Sequence, residues 1–306
     1  MSIITSPQTD AGLFRPSASG NLAGYAAIAV AVAIWAGFAL SIRAMGASGL
    51  TTADVALIRY GMPALLLCPF IPSRWAMLRK VRLSDALMVF AGAGLPFFWI
   101  AAAGGAATST AHVSALIAGT VPVSVALVTF LLTGARVPVR RMGGLAVIVL
   151  GVVALAFAQP QTGHGDIGRG VAMLLAASLL WGAYTVGLRR TGLDAIGCTL
   201  LVTLPSFVIL AGLFAFGLVT THFGRFSLGE AMPFVLVQGL GVGIVSTLSY
   251  AMAITRLGPA RSAVIGSLAP VLATLGAVPL LGEALTPVVT AGVCAITLGV
   301  VLANRA

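Results

Sequence analysis

The sequence predicts an all-α integral membrane protein of ten transmembrane helices, arranged as two inverted five-helix repeats. Of its 306 residues, 59% are hydrophobic and 8% are charged, and the mean hydropathy is +1.09. A soluble domain carries about 25% charged residues, so a surface this poor in charge must face hydrocarbon. Apolar runs of about twenty residues recur along the chain, and this is the length at which a helix crosses a bilayer.

Polar breaks divide the apolar sequence into ten predicted spans. They are 22–43, 52–72, 84–105, 107–132, 141–158, 168–188, 195–217, 230–253, 259–281 and 286–303. The gap near Ala106 is short, but a single helix over 84–132 would be far too long for one crossing. Residues 1–20 are polar and are expected to form a flexible cytoplasmic tail before the first span.

The net charge of +10 is a topology signal, because the basic residues lie in short gaps between apolar runs. This placement argues against a nucleic-acid partner. With a cytoplasmic amino terminus, three basic residues face outward and thirteen face the cytoplasm. The thirteen are Arg15, Arg74, Arg79, Lys80, Arg82, Arg136, Arg140, Arg141, Arg189, Arg190, Arg256, Arg261 and Arg305. The asymmetry predicts that both termini are cytoplasmic.

The two halves of the chain repeat one another. Residues 114–117 and Pro122 recur as residues 262–265 and Pro270, at an offset of 148. Further matches at this or a closely similar offset are Gly144 with Gly292, 150–153 with 298–301, and Trp35, Phe38 and Arg43 with Trp181, Tyr184 and Arg189. The repeats are therefore assigned to 21–158 and 159–306. Each has five spans, an odd number, so the second copy enters the membrane inverted, a plan typical of alternating-access transporters.

The carboxyl-terminal segment that begins at Pro270 and ends in residues 281–286 (LGEALT) resembles the EamA family of the drug/metabolite transporter superfamily. The two five-helix halves and the helices that carry Trp35 and Trp181 are similar to that family as well. The resemblance covers essentially residues 22–303. It implies a basket-shaped bundle with a central cavity, and export of aromatic and other neutral amino acids.

The first half departs from the family motif. Residues 133–135 (TGA) stand where the second half has Leu-Gly-Glu, so the acidic residue of the motif is present only once, as Glu283. Glu283 lies at the outer end of the ninth predicted span. We expect it to be a structural or gating group rather than a solute ligand.

Ionisable groups inside the membrane are costly, so each is a candidate for function. Arg59 lies about two turns into the second span, where it either pairs with Asp54 or binds a solute carboxylate or gates the outer mouth. His112 lies about one turn into the fourth span, on one face with Thr108 and Gly119. It either contacts solute or relays a proton, or it is a packed neutral residue bonded to a carbonyl.

Aromatic residues near mid-span are candidates for lining a solute cavity. Trp35 and Trp181 lie away from the membrane interfaces where Trp is usual. Phe38 and Tyr184 follow three residues later on the same helical faces, and Phe97, Phe98 and Trp99 lie in the outer half of the third span. Such faces suit aromatic or apolar solute groups. Packing between helices and lipid contact are the alternatives.

Two polar residues and two prolines complete the candidates. Gln238 and Tyr250 in the eighth span are buried polar groups that need partners, either on another helix or on the solute. Pro122 and Pro270 each remove a backbone hydrogen bond one turn earlier, and we expect both to act as hinges. The sequence has no cofactor motif and no Cys or His cluster, so neither a cofactor nor a metal is expected.

The sequence therefore predicts a secondary transporter that exports small neutral or aromatic amino acids and related metabolites, with the solute and the bilayer as its partners. Export of hydrophobic cations or drugs is the alternative within transport, since cations bind aromatic faces. An intramembrane enzyme would need a nucleophile with a base, or paired acids. A channel would need a filter built by symmetry between subunits. Neither pattern is evident in the sequence, which makes no prediction of oligomeric state.

Overall fold

The computed structural model describes residues 18–158 and 166–305, so most of the predicted tail at 1–20 lies outside the described residues. The regular structure of the described residues is helical. Nine helices are long and apolar enough to cross a membrane, and one further helix pair is bent. In chain order the helices are α1 Leu22–Ala47, α2 Thr52–Leu78, α3 Leu83–Ala106, α4 Thr110–Gly119, α5 Val121–Thr133, α6 Val139–Ala156, α7 Ile167–Thr191, α8 Ala195–Ala215, α9 Leu228–Leu257, α10 Arg261–Leu281 and α11 Pro287–Asn304.

The predicted fourth span is a bent pair of helices rather than one straight helix. α4 and α5 meet at an angle of 40°. The last turn of α4, Ala115–Gly119, is a wide π-helical turn, and Thr120 separates it from α5. Pro122 stands in the first turn of α5, where its missing N–H costs no helical hydrogen bond. The chain therefore bends where the helix ends and restarts.

The other predicted spans are found as helices with shifted ends. The largest extension is in α2, where the predicted end at residue 72 becomes Leu78. The chain passes through one tighter turn at Cys68–Phe70 and resumes a helix over Ile71–Leu78. Hydropathy marks apolar length alone, so it does not predict a helix that continues into polar sequence.

Helices α6 and α11 pack through glycines. A Cβ at Gly144 would lie 2.4 Å from the backbone N of Ala303, and one at Gly299 would lie 2.7 Å from the carbonyl O of Gly144. Farther along, a Cβ at Gly151 would lie 2.8 Å from the carbonyl O of Gly292. Small residues let membrane helices approach until their backbones touch. At the offset of 148, the Gly144 contact maps onto the Gly151 contact with the two helices exchanged.

The two halves of the chain interlock. Helix α1 of the first half packs on α9 and α10 of the second, and α7 of the second half packs on α3 and α5 of the first. Helix α2 packs on both α8 and α9. Side chains from both halves therefore meet in the interior of the bundle.

Candidate solute site

Four aromatic rings from three helices form a continuous cluster inside the bundle. Ring centroids are 6.1 Å apart between Phe38 and Phe97, 5.1 Å between Phe97 and Trp181, and 5.7 Å between Trp181 and Tyr184. Phe97 is fully buried and the other three are half-buried. Such distances and angles are favourable for aromatic pairs. These four rings, from α1, α3 and α7, are called the aromatic cluster, and all four are residues that the sequence singled out.

The guanidinium of Arg59 lies against this cluster. Its Cζ is 5.2 Å from the ring centre of Phe38, 5.5 Å from that of Tyr60 and 5.4 Å from that of Phe98. Arg59 is only 5% exposed, so its charge is surrounded by ring faces rather than by water. A cation within about 6 Å of a ring face is attracted by the ring quadrupole. Three aromatic faces therefore help to hold a buried positive charge.

Gln238 holds the guanidinium in place. Arg59 Nη1 donates to Gln238 Oε1, and Gln238 Nε2 donates to Ser41 Oγ at 2.7 Å. The Ser41 hydroxyl itself donates to the backbone O of Phe38 at 2.8 Å, so towards Gln238 it acts as an acceptor. The Gln238 amide must therefore aim its oxygen at Arg59. One chain of hydrogen bonds thus joins α1, α2 and α9.

The predicted pairing of Arg59 with Asp54 is wrong. Asp54 Oδ2 accepts hydrogen bonds from Thr51 N and Thr51 Oγ1, both at 2.8 Å, and from the backbone N of His222 at 3.0 Å. Five residues along a helix turn the side chain by about 140°. Asp54 therefore closes the first turn of α2, while Arg59 points into the bundle.

The remaining predicted aromatic residues lie apart from the aromatic cluster. Trp35 is edge-on to Tyr250, with 5.0 Å between ring centroids, and both pack on a second group of buried residues between α1, α9 and α10. Trp99 lines an apolar hollow of about 240 Å³ with neighbours that include Leu95 and Leu213. The structure thus separates two tryptophans, Trp35 and Trp181, that the repeat makes equivalent.

His112 is fully buried, and both of its ring nitrogens are engaged. Ser109 Oγ lies 2.7 Å from Nδ1, and Nε2 lies 2.9 Å from the carbonyl O of Leu155. Because a carbonyl can only accept, Nε2 carries a proton, and in the neutral ring Nδ1 then accepts from the Ser109 hydroxyl. His112 therefore ties α4 to the end of α6 and presents no free ring nitrogen to a solute in this conformation.

Both proline candidates stand just after an interruption of a helix. Pro122 follows the break at Thr120. In α10 the helix ends at Gly266 and resumes at Ala269, with Pro270 in the first turn of the resumed part. Because each proline stands in the first turn of a helix, the predicted loss of a hydrogen bond inside a helix does not occur at either one. That the two breaks move as hinges stays a prediction.

Glu283 joins three segments at one end of the bundle. Its Oε1 accepts from Arg43 Nε at 3.2 Å, and its two oxygens lie 3.1 and 3.0 Å from the backbone N of Thr110. Thr110 Oγ1 also donates to Oε1 at 3.0 Å. A carboxylate at the start of a helix satisfies its free N–H groups and complements the helix dipole. These three residues are called the Glu283 cluster.

Several residues of these sites were not predicted, among them Tyr60 and Ser41. Tyr60 lies in an apolar run and carries no local signal beyond hydrophobicity, whereas Phe97 and Phe98 were aromatic candidates from the sequence. Ser41 follows Phe38 by three residues, so its position on the same helical face could have been predicted from the spacing. Among the described residues, no group of three or more His, Cys, Asp or Glu side chains stands close enough together to hold a metal ion.

Comparison with known proteins finds a transporter family and exporters that resemble parts of this chain. Residues 168–305 match the EamA-like transporter family. The chain is 32% identical over 158 residues to the threonine/homoserine exporter RhtA of Escherichia coli strain K12, and equally to RhtA of the O6:H1 and O157:H7 strains. The match covers 49% of this chain and 50% of the exporter, so it spans half the length of these relatives.

A solved crystal structure shares the fold of nearly the whole chain. It superposes with a TM-score of 0.60, covering 93% of this chain and 97% of that chain, at 20% sequence identity. At this identity the likeness is one of fold alone. The chain is thus a multi-pass membrane protein, and its residues 168–305 are similar to the EamA-like transporter family.

Proposed function

We propose that the chain is a secondary transporter that exports small neutral or aromatic amino acids and related metabolites. The observation that carries this proposal is the position of the aromatic cluster and Arg59 at the junction of the two halves. Helices α1, α2 and α3 of the first half and α7 and α9 of the second all contribute side chains there. Aromatic faces with a few fixed polar groups are typical of small-molecule sites.

Alternating access between two inverted repeats is the mechanism we propose. The packing between the halves supports this mechanism. In the predicted repeat α1 corresponds to α7, α9 to α3, and α10 to α5. The contacts of α1 with α9 and α10 therefore correspond to the contacts of α7 with α3 and α5. The reciprocal glycine contacts of α6 and α11 support it as well. Rocking of one repeat against the other would expose a site at their junction to each side of the membrane in turn.

Amino acids are the solute class that we favour. The relatives matched at 32% identity are threonine/homoserine exporters, which supports an amino-acid solute for this chain. The aromatic cluster adds ring faces on which an apolar or aromatic side chain can pack. We infer that threonine, homoserine and phenylalanine span the range of solutes worth testing.

Hydrophobic cations are the second candidate, because aromatic faces attract cations. The same faces, however, already surround the Arg59 guanidinium, at 5.2 to 5.5 Å from three ring centres. A second positive charge beside it would be repelled in a medium of low dielectric constant. The geometry therefore favours a solute that is neutral overall or carries a carboxylate.

The excess of basic residues in one set of loops supports a location in the bacterial inner membrane with both termini cytoplasmic. In that orientation the Glu283 cluster lies at the outer end of the bundle. Export then carries solute from the basic, cytoplasmic end towards this cluster.

An export assay in cells tests the proposal. Cells that express the chain are fed dipeptides containing phenylalanine or threonine, so that hydrolysis raises the internal amino-acid concentration. We expect amino acid to appear in the medium faster than from vector-only cells. Trp181→Ala should slow phenylalanine export, since it removes one face of the aromatic cluster. Release at the vector-only rate for every amino acid, with resistance to hydrophobic cationic dyes, would instead support the second candidate.

A further inference from the structure

The charge of Arg59 has no acidic partner in the described parts of the chain. The ion pairs there are Arg43 with Glu283, Arg74 with Asp194, and Arg190 with Asp85. The other described acidic residues serve as helix caps: Asp54 with Thr51, Asp166 with the backbone N of Arg169, and Glu230 with Ser227. A guanidinium that is 5% exposed is thus balanced only by neutral groups.

This arrangement is costly without a ligand. A buried charge is usually paired with an opposite charge, because removing it from water is strongly unfavourable. Arg59 Nε donates to Tyr60 Oη at 3.3 Å, and Nη1 donates to Gln238 Oε1. A guanidinium has five N–H donors. Three of them therefore have no acceptor among the described residues, and an incoming anion would satisfy them.

The guanidinium is also preorganised. Gln238 is held by Ser41, and Tyr60 Oη donates to the carbonyl O of Ala93 at 3.2 Å, so both acceptors of Arg59 are themselves fixed. The planar guanidinium matches a carboxylate through two parallel hydrogen bonds. Because Phe38 of the aromatic cluster lies 5.2 Å from Arg59 Cζ, a carboxylate bound there has ring faces beside it for its apolar part.

We propose that Arg59, oriented by Gln238, is the site that binds the carboxylate of the solute. The side chain of the solute packs on the aromatic cluster, on the Phe38 and Trp181 side. This assignment rests on the proposed function and specifies its chemistry: the solute must carry a carboxylate near an apolar or aromatic group. Arg59 is thus a solute-binding residue, and Gln238 is a positioning residue.

The test is solute binding to the purified full chain in detergent, measured by thermal stabilisation and by Trp fluorescence. L-Phenylalanine is compared with L-phenylalaninamide, which keeps the ring and the amino group and replaces the carboxylate with a neutral amide. The wild-type chain should bind phenylalanine about tenfold to a hundredfold more tightly than the amide, because charge-assisted hydrogen bonds are lost with the amide. Equal binding of the two compounds by the wild-type chain would overturn the assignment.

Gln238→Glu is the decisive variant. It places a carboxylate of nearly the same shape beside Arg59, so the chain should fold at least as well while phenylalanine binding falls about tenfold or more. Arg59→Gln should abolish the preference for phenylalanine over its amide. Arg74→Gln, which removes a partly exposed ion pair near the other end of α2, should keep the wild-type preference. Unchanged phenylalanine binding in Gln238→Glu would contradict the proposal.

The binding assay tests the Arg59 site and the export assay tests the proposed function, so the two proposals can be contradicted independently. Carboxylate-dependent binding without export from cells would support the Arg59 site and contradict the proposed function. Export by a chain whose binding ignores the carboxylate would support the function and contradict the Arg59 site.

Discussion

Glu283 and Arg43 form an ion pair, with Oε1 of the carboxylate 3.2 Å from Nε of the guanidinium. Arg43 lies in the last turns of α1 in the first half, and Glu283 follows α10 in the second, so the pair bridges the halves at one end of the bundle. The repeat-equivalent positions are Arg189 and Ala135, where no such pair can form. The two ends of the bundle therefore differ chemically, although the sequence repeat predicts related helices at both.

Replacing Glu283 by Gln should loosen this end of the bundle. The neutral amide keeps the volume but loses the charge that Arg43 and the first turn of α4 require. We expect a loss of about 2 kcal/mol in the free energy of unfolding, because charge-assisted hydrogen bonds to a largely buried carboxylate are replaced by weaker ones. Thermal unfolding of the purified chain measures this.

Glu230→Gln is the matched control for Glu283→Gln, since Glu230 caps α9 from an exposed position. It should change the unfolding temperature much less. Equal effects of the two variants would show that the Glu283 cluster contributes no more than an ordinary cap. An Arg43→Gln variant as stable as the wild-type chain would contradict the account of the ion pair.

The contact of α6 with α11 is tested by two neighbouring glycines. Gly144→Ala should destabilise the chain by roughly 2 kcal/mol, because its new Cβ would lie 2.4 Å from the backbone of Ala303 and the helices must separate. Gly143→Ala meets nothing within 4 Å and should be neutral or stabilising by about 0.5 kcal/mol, since Ala favours helix. The measurement is thermal unfolding of both variants in the same detergent. Equal stability of the two variants would contradict close packing of α6 on α11.

His112→Gln should retain fold and transport. The Gln amide can still donate to the carbonyl O of Leu155, whereas His112→Ala removes that hydrogen bond and should cost about 1 kcal/mol. Because both ring nitrogens of His112 are engaged, we expect His112 to carry no proton during transport. The wild-type chain and His112→Gln should then show the same dependence of transport rate on pH, from about pH 5.5 to about pH 8. Loss of the pH dependence in His112→Gln alone would make His112 the coupled proton site.

The two mid-span tryptophans should respond differently to truncation. Trp181→Ala removes a ring from the aromatic cluster and should raise KM for phenylalanine about threefold to tenfold. Trp35→Ala removes the partner of Tyr250. It should lower the thermal stability of the chain and raise KM for phenylalanine less than Trp181→Ala does. The measurement is initial transport rate against solute concentration. A larger rise in KM with Trp35→Ala would place the solute on the α1–α9 side instead.

The membrane-spanning helices could be predicted from the sequence, because the hydropathy of a segment depends only on its own residues. The ten predicted spans all correspond to helices, but interruptions within them, such as the bend between α4 and α5 and the break in α10, were not located by hydropathy. Helix ends were less accurate, as at Leu78, because a helix can continue beyond its apolar part.

The sites were predicted less completely, because they depend on contacts between distant residues. Arg59 was identified from its cost inside a membrane, but its real partner, Gln238, is 179 residues away and on another helix. Asp54 was chosen as its partner from proximity in sequence, and helical geometry sends the two side chains to different faces. Trp35 and Trp181 were both expected to line a solute cavity, but Trp181 packs with Phe97 and Tyr184, whereas Trp35 packs with Tyr250.

Solute counterflow in proteoliposomes tests the central claim most directly. Vesicles containing the purified chain are loaded with unlabelled phenylalanine and threonine and are offered labelled phenylalanine outside. We predict transient accumulation of label above that of protein-free vesicles, a greatly reduced signal with Gln238→Glu, and an unchanged signal with Arg74→Gln. Absence of accumulation with every amino acid tested would contradict amino-acid transport by this chain.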